Sequence, residues 1–209
     1  MRTESAVIYP ESWTAPLPLE RYFDPAASLE VDLGCGKGRF LTERARTCPG
    51  VSFLGVDRKL SRIRKTDRKV VRAQLRNVRL LRVEAAYLVE HLLPQRSVRA
   101  CYVLFPDPWP KRRHHRRRLI TPRFVRALHG ALEPAGCVHL ATDHLDYFER
   151  IAELFGGSGL FEPAAPFAAA EAERSEFETL FVRREVRIGR CSFRSLPRPS
   201  GGSPRPRIP

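Results

Sequence analysis

Residues 29–40, which read LEVDLGCGKGRF, constrain the fold more than any other stretch of this chain. An apolar run leads into Gly34, Gly36 and Gly38, and a segment with helical spacing of its apolar residues follows them. Glycine adopts the positive φ angles that a tight turn needs, and it lets the backbone approach a ligand with no Cβ in the way. The motif therefore predicts a strand, a glycine turn and a helix, which together form the first unit of a doubly wound α/β sheet.

The rest of the chain alternates short apolar runs with longer amphipathic segments, a pattern typical of repeated strand and helix units. The predicted strands span residues 28–33, 52–56, 78–83, 99–105, 136–142, 178–184 and 190–195. The predicted helices span residues 39–47, 60–76, 86–92, 122–132 and 145–154. We expect a mostly parallel sheet with helices on both faces, and an antiparallel pairing of the last two strands.

The two ends of the chain differ in composition from the middle. Residues 1–27 contain prolines interspersed with aromatic residues, and we expect an extended N-terminal arm that lies on the surface of the domain. Residues 28–195 carry the predicted strands and helices and form one domain. Residues 196–209, LPRPSGGSPRPRIP, offer almost nothing apolar to bury, so we expect a disordered basic tail.

The chain is strongly basic, with 37 lysines and arginines against 23 acidic residues and a formal net charge of +14. Such an excess favours a polyanionic partner, because phosphates release counterions when cations neutralise them. No apolar run is long enough to span a membrane and the N-terminus lacks a signal-peptide core, so we expect a cytoplasmic protein. The five cysteines and six histidines show no metal-ligand spacing, and we expect no metal.

Acidic residues follow or end three successive predicted strands. Asp32 lies two residues before the first glycine of a G-x-G-x-G turn, whereas a dinucleotide site would carry G-x-G-x-x-G. The observed spacing suits S-adenosyl-L-methionine, whose ammonium group favours a nearby carboxylate. Asp57 can accept both ribose hydroxyls and Glu84 the adenine amino group. Alone, Asp57 and Glu84 could be helix N-caps or exposed loop acids, but together with the glycine turn they favour a cofactor site.

Residues 105–110, FPDPWP, follow the predicted strand 99–105. The alternating prolines restrict the backbone, and we expect extended conformations at Phe105, Asp107 and Trp109. Open α/β sheets bind ligands at the carboxyl ends of their strands, so this stiff loop places Asp107 at the mouth of the cofactor site. Trp109 either stacks on a base or anchors the loop on the core.

A basic block, KRRHHRRR at residues 111–118, follows directly and carries six full positive charges. An isolated basic octamer is usually a solvated charge run or a nuclear-import signal. Attachment to the acidic loop favours a phosphate-binding surface beside a catalytic pocket instead. A second basic surface is predicted on the helix over residues 60–76, where cations recur at intervals of three and four: Arg58, Arg62, Lys65, Lys69, Arg72 and Arg76.

Taken together, these motifs resemble those of the bacterial tRNA (guanine-N7-)-methyltransferase family. Residues 29–196 contain, in the same order, counterparts of the family hallmarks E-x-G-x-G-x-G, G-x-E, F-P-D-P-W-x-K-x-R-H, T-D and T-x-[FY]-E. The segment FPDPWPKRRHHRRR is the most specific match. The resemblance implies a Rossmann-like methyltransferase fold, S-adenosylmethionine as methyl donor, and N7 of a guanine in the tRNA variable loop as acceptor. The alternatives are a catalytically inactive RNA-binding protein of the same fold and a nicotinamide-dependent oxidoreductase, which the glycine spacing and the basic block disfavour.

The resemblance also assigns residues. The cofactor-binding positions are Asp32, Gly34, Gly36, Gly38, Asp57, Glu84 and Asp107, and Asp107 is also the catalytic position. The substrate positions are Lys111, Asp143, Ser175, Glu176, Phe177 and Glu178, with Asp143 or Glu178 as the guanine reader. The basic block itself, rather than the resemblance, predicts the RNA-binding positions, which are Arg112, Arg113, His114, His115, Arg116, Arg117 and Arg118.

The chain departs from the family pattern at four positions. Asp32 and Asp57 stand where glutamate is usual, Glu84 where aspartate is usual, and Ser175 where threonine is usual. Each replacement keeps the charge or the hydroxyl group, so we expect function to survive. His144, which follows Asp143, is expected at a helix start.

Overall fold

A computed structural model describes residues 4–197, which form a seven-stranded sheet flanked by helices. The strands are β1 (Leu29–Leu33), β2 (Ser52–Val56), β3 (Val78–Leu81), β4 (Val98–Leu104), β5 (Leu132–Thr142), β6 (Phe161–Ala164) and β7 (Gly189–Ser195). The α-helices are α1 (Arg39–Thr47), α2 (Leu60–Arg72), α3 (Ala85–Tyr87), α4 (Pro122–Ala131), α5 (Leu145–Gly156) and α6 (Glu176–Arg183). A π-helix continues α3 (Leu88–Leu92), and short 3₁₀ helices occur at Leu19–Arg21, Arg112–Arg117 and Glu171–Glu173.

The strand order is β3-β2-β1-β4-β5-β7-β6. Strands β1 to β5 are parallel, whereas β7 runs antiparallel to both β5 and β6. This confirms the expected Rossmann-like methyltransferase fold. The direction of winding reverses between β1 and β4, and a crevice forms at such a point beyond the carboxyl ends of the strands. The turns that follow β1 and β4 therefore flank the expected ligand site.

Two hydrophobic clusters cover opposite faces of the sheet, because successive strand residues point to opposite sides. In β2, Phe53 belongs to the cluster that contains Leu41 of α1 and Ile63 of α2. Its neighbour Leu54 belongs to the larger cluster, which contains residues of α4 and α5 such as Phe124. Strands β1 and β2 are buried at every position, as expected for strands covered by helices on both faces.

The predicted strand over residues 178–184 was wrong, because this stretch belongs to α6. Ser175 accepts a hydrogen bond at its Oγ from the Glu178 backbone N–H, 3.1 Å away, and thereby caps the helix. The serine followed three residues later by glutamate is a capping-box pattern, and it predicts the helix start that the apolar run obscured. The strand that pairs with β7 in place of the predicted one is β6, a short edge strand that contains Pro163, which edge positions tolerate.

Several boundaries also differ from the predictions. Strand β5 begins at Leu132 rather than at residue 136, β3 ends at Leu81 rather than at 83, and α2 ends at Arg72 rather than at 76. A register shift in the pairing of β4 with β5, between Val98 and Ala100, accommodates the longer β5. The carboxyl ends of β1, β2 and β5, which face the site, lie where the sequence predicts them, whereas the earlier end of β3 leaves Glu84 three residues beyond the strand.

The described residues before β1, from Glu4 onward, contact the domain. Val7 forms a parallel bridge with Leu80 of β3, and the Leu17 N–H donates to the carbonyl of Leu92. Ile8 and Leu17 are buried in the larger cluster. Of the predicted tail, Leu196 donates its N–H to the carbonyl of Leu160, and residues 198–209 lie outside the described residues. Over residues 4–197, every helix is too short or too polar to cross a membrane.

Candidate active site

The glycine turn has the backbone that the sequence predicts, with φ of +93° at Gly34, +59° at Gly36 and +76° at Gly38. The N–H groups of Gly34 and Cys35 donate to the carbonyl of Val56, which ties the turn to the end of β2. A Cβ built on Gly34 would meet no described atom within 4 Å, and one on Gly36 would meet only the Gly34 carbonyl at 3.9 Å. The first two glycines therefore face open space, as a ligand-binding turn requires.

Substitutions of Gly34 and Gly38 should distinguish a glycine that ligand binding requires from one that folding requires. Gly34→Ala is expected to lower the free energy of unfolding by only about 1 kcal/mol, since it adds backbone strain without a clash. Gly38→Ala should lower it by about 3 kcal/mol, because its Cβ would lie 2.3 Å from Cγ2 of Thr66 in α2. Urea unfolding measures both values. Calorimetric titration should show that folded Gly34→Ala has lost affinity for S-adenosylmethionine, and the reverse stability ranking would contradict the turn geometry.

Asp32, in β1, is a buried carboxylate at the base of this turn, with 4% of its surface exposed. Within the described residues, no hydrogen bond or ion pair joins its side chain. Burial, together with the negative charges of Asp57 and Glu176, raises the pKa of Asp32 to about 8. A cation bound beside Asp32 would stabilise its charged form and remove most of the free-energy cost of ionising it. An unpartnered acid below an open glycine turn fits the ammonium group of S-adenosylmethionine.

Asp57 is also buried and lies directly after β2. It accepts hydrogen bonds from the N–H of Gly36 at 3.3 Å, from the N–H of Lys59 at 2.8 Å and from Nη1 of Arg62 at 3.1 Å. The first contact holds the glycine turn and the second shapes the entry into α2. The two interpretations of Asp57, as an acid of the cofactor site and as an acid at a helix start, are thus compatible, because one carboxylate faces the turn and also organises the start of α2.

Glu84 and Asp107 meet at Arg58. The guanidinium of Arg58 lies 3.7 Å from Oε1 of Glu84 and 3.7 Å from Oδ2 of Asp107. Glu84 occupies the N-cap position of α3 but makes no side-chain cap hydrogen bond, so its carboxylate is not used as a helix cap. The structure brings these two predicted residues to one edge. It also identifies a bridging role for Arg58 that the sequence pattern did not indicate.

The FPDPWP loop differs from its prediction. Phe105 and Trp109 have φ of +56° and +43°, so the expected extended conformations at these residues were wrong. Such angles cost about 1–3 kcal/mol each and persist only where surrounding contacts hold them. The Phe105 N–H donates to the carbonyl of Ala141, and its ring lies 5.3 Å from the ring of Phe181 in α6. Tertiary contacts therefore override the local preference for extended backbone.

Trp109 contacts the basic block and does not anchor the loop in the core. The Arg117 guanidinium lies 4.9 Å from the indole centroid, and the His114 ring packs edge-on at 5.8 Å. Arg118 donates from Nε to the carbonyl of Pro108 at 2.7 Å and lies over the ring of Tyr147 in α5. Arg118 thus fastens the loop to α5. Stacking of Trp109 on a base stays a prediction.

The rest of the basic block is available to a ligand. Arg112, Arg113 and Arg116 are exposed on the 3₁₀ helix and form no ion pair with any described residue. Lys111 and His115 are exposed beside them. These cations begin four residues after Asp107, so the acidic loop and the positive surface form one continuous region.

The predicted substrate segment lies beside the glycine turn. Ser175 caps α6, Glu176 pairs with Lys69 of α2 at 3.3 Å, and Phe177 is exposed. Glu178 is buried and accepts a hydrogen bond from Nη2 of Arg190 at 2.6 Å. Thr179 accepts at Oγ1 from Arg39 at the start of α1. These contacts place the N-terminal half of α6 against α1 and α2.

Asp143 is the better placed of the two predicted guanine readers. It follows β5, is half-buried, and makes no hydrogen bond or ion pair with a described residue, whereas Glu178 is already paired with Arg190. The adjacent His144 takes the N-cap position of α5 as expected, but its side chain makes no cap hydrogen bond. Its Nδ1 is buried and has no partner among residues 4–197, a feature with no signal in the sequence.

Comparison with known proteins agrees with this geometry. Residues 26–189 match the family model described as "Putative methyltransferase". A tRNA (guanine-N(7)-)-methyltransferase of Alkalilimnicola ehrlichii is 35% identical over 178 residues, which cover 85% of this chain and 75% of that relative. The protein of the same name in Halorhodospira halophila is 37% identical over 174 residues, 83% of this chain and 75% of that relative.

Among solved structures, the 16S rRNA methyltransferase KamB superposes with a TM-score of 0.61 over 86% of this chain and 91% of that protein. Its 17% sequence identity supports the fold alone. The family resemblance inferred from the motifs is confirmed by the family model and by the relatives, which match most of the chain. This chain belongs to the tRNA (guanine-N(7)-)-methyltransferase family.

Proposed function

We propose that this protein transfers the methyl group of S-adenosylmethionine to N7 of a guanine in the variable loop of tRNA. The observation that carries the proposal is the convergence at the β1–β4 crevice of a buried acid, two exposed acids and a basic surface, of which the buried acid and most of the cations have no ion-pair partner among residues 4–197. Asp32 lies below the open glycine turn, while Glu84 and Asp107 share Arg58. The acids suit the methyl donor, and the cations suit RNA.

The residues at the glycine turn divide the binding of the donor among them. When bound, S-adenosylmethionine supplies a methyl group activated by a positively charged sulfur. The carboxylate of Asp32 pairs with the ammonium group, and Asp57 accepts from the ribose hydroxyls. Glu84 accepts from the adenine amino group. The open space over Gly34 and Gly36 admits the donor close to the backbone.

Asp107 acts by position and charge. Guanine N7 carries an in-plane lone pair and no proton, so its attack on a methyl group needs no general base. The main task is to hold N7 in line with the methyl group. Positive charge arrives on the purine during transfer, and the exposed carboxylate of Asp107 stabilises it there. Asp143 accepts from the guanine N1–H and 2-amino group, a donor pair that the other RNA bases lack.

The test is methyl transfer to matched RNAs. The protein is incubated with labelled S-adenosylmethionine and an unmodified tRNA transcript, and nucleosides are separated after digestion. We expect label in N7-methylguanosine. The same transcript with 7-deazaguanosine at the target should bind but remain unlabelled, since N7 is replaced by carbon. Absence of label from the normal transcript under conditions in which it binds would support the inactive RNA-binding alternative and overturn the proposal.

The basic block should control affinity for RNA rather than catalysis. Replacing Arg112, Arg113 and Arg116 by serine is expected to weaken tRNA binding and to reduce the slope of log affinity against log salt by about 2–3. The turnover number at saturating tRNA should stay near wild type. Arg118 is left intact because it fastens the FPDPWP loop. Filter binding at several salt concentrations measures the effect.

A matched pair of single variants provides the control. Arg113→Ser removes an exposed cation from the block, and Arg126→Ser removes one from α4 that likewise makes no ion pair with a described residue. Only Arg113→Ser should change the salt slope. Equal changes in both variants would mean that the block acts through net charge alone.

A further inference from the structure

Helix α2 exposes a row of cations that no described acid neutralises. Arg64, Lys65, Arg68 and Arg72 are exposed and form no ion pair with residues 4–197, and we refer to these four residues as the α2 ridge. Arg64, Arg68 and Arg72 are four residues apart, so they stack along one side of the helix. The two other cations of α2 are engaged, Arg62 with Asp57 and Lys69 with Glu176.

This charge arrangement does not favour the helix itself. Like charges four residues apart destabilise a helix by about 0.2–0.5 kcal/mol per pair. The first turn of α2 contains no acidic residue, although helix N-termini favour negative charge. The single acid of α2, Asp67, accepts hydrogen bonds from Ser5 Oγ and the Ala6 N–H instead. A face that served only solubility would mix both signs, so the ridge points to a polyanionic ligand.

Helix α2, which carries the ridge, starts beside the active site and leads away from it. Arg58, next to Glu84 and Asp107, lies two residues before α2, which then runs for 13 residues, about 20 Å. Helix α2 connects β2 to β3, whereas the basic block follows β4, on the other side of the crevice. A substrate seated in the crevice would therefore have cations on both sides.

The chemistry of the two surfaces differs. The basic block contains His114 and lies against Trp109, and the rings of both residues can stack on unpaired bases. The α2 ridge contains only lysine and arginine and no aromatic ring, and such side chains supply many of the protein contacts to phosphates. A row of cations with no rings, long enough to follow several phosphates, suits the backbone of a base-paired segment.

We infer that the α2 ridge binds the sugar–phosphate backbone of a base-paired arm of the same tRNA whose target guanine enters the crevice. The inference rests on the proposed function, because the ridge can contact an arm of the tRNA in this way only if that tRNA is the substrate bound in the crevice. The ridge adds affinity for a whole tRNA over an isolated target loop. It does not contribute to methyl transfer itself.

The test compares two RNAs. In one variant the four ridge residues are replaced by glutamine, which keeps helix propensity and removes the charge. Its affinity is measured for a full tRNA transcript and for a short hairpin that holds the target loop closed by a minimal stem, so that no base-paired arm is left to contact the ridge. We expect at least a tenfold loss for the tRNA, with a shallower salt dependence, and an unchanged affinity for the hairpin. Affinity for S-adenosylmethionine should match wild type.

Controls separate the ridge from folding and from overall charge. The melting temperature should stay equal or rise, because repulsion within α2 is relieved. The single variants Arg68→Gln and Arg126→Gln remove equally exposed cations, and only the first should weaken binding of the whole tRNA. An unchanged tRNA affinity in the fourfold variant would overturn the inference and leave an acidic protein as the partner of the ridge. Equal losses for hairpin and tRNA would also overturn it.

Binding is measured without turnover, so this experiment is independent of the proposed reaction. A wild-type protein that discriminates tRNA from hairpin through the ridge but forms no N7-methylguanosine would refute the proposed function and leave the ridge as an RNA-binding surface.

Discussion

Replacing Asp107 by asparagine is expected to lower the turnover number for tRNA methylation by about 100-fold or more, while tRNA affinity stays within about twofold of wild type. The reason is that the carboxylate stabilises charge which develops only during transfer, so its loss is felt in the transition state rather than in binding. Asp107 is 72% exposed at its side chain, and its single described ion pair, with Arg58, is 3.7 Å long. Folding should therefore be unaffected.

The measurement is a single-turnover methylation rate at saturating tRNA and donor, with tRNA affinity determined separately. Asp146→Asn is the matched control, since Asp146 is an exposed acid of α5 without a described ion pair. The control should react at the wild-type rate. A wild-type rate in Asp107→Asn would remove this residue from the active site and with it the role assigned to the FPDPWP loop.

Asp32→Asn is expected to stabilise the unliganded protein at alkaline pH. The folded-state pKa of Asp32 is about 8, well above the ordinary value near 4, because burial disfavours the charged form. Between these values the unfolded chain has lost a proton that the folded chain retains, so stability falls as pH rises and levels off above pH 8. The side chain of asparagine does not titrate, so it adds no such pH dependence to the stability. The variant should match wild type near pH 4 and exceed it by several kcal/mol at pH 8.5 in urea unfolding.

The same substitution should weaken binding of S-adenosylmethionine. The donor's ammonium group pairs with the ionised form of Asp32, so wild-type affinity should rise with pH between 6 and 7.5, by at most about tenfold per unit. Affinity of Asp32→Asn should be lower and independent of pH over this interval. Glu84→Gln, which alters an exposed acid, should keep the wild-type pH dependence. An Asp32→Asn protein that is less stable than wild type and binds the donor normally would show that Asp32 is structural.

Features determined by local backbone chemistry could be predicted from the sequence. Positive φ at Gly34, Gly36 and Gly38 could be predicted because few residues other than glycine adopt it without strain. The strands on either side of the turn in sequence, β1 and β2, could be predicted from apolar runs. The segment at residues 178–184 shows the limit of this reasoning. Its apolar and β-branched residues favour a strand, but the hydrogen bond from the Glu178 N–H to Ser175 Oγ caps a helix at this place.

The candidate site was predicted in part. The sequence identifies Asp32, Asp57, Glu84 and Asp107 as acids at strand ends, and the parallel sheet brings them to one edge. It does not indicate that Arg58 bridges Glu84 and Asp107, or that Phe105 and Trp109 adopt positive φ. The contacts of Phe105 and Trp109 involve α6 and the basic block, whose positions relative to the loop follow from packing.

The sequence by itself determined the glycine turn, the order of strands and helices as far as α5, and the family, because each depends on residues that are neighbours in the chain. The tertiary structure alone decided which carboxylates remain free to bind a ligand. Glu178 is paired with Arg190, whereas Asp32 is buried with no partner among residues 4–197, and burial together with the nearby charges of Asp57 and Glu176 raises its pKa. Burial and pairing are set by segments far apart in sequence, and the pKa and binding role of an acid follow from them.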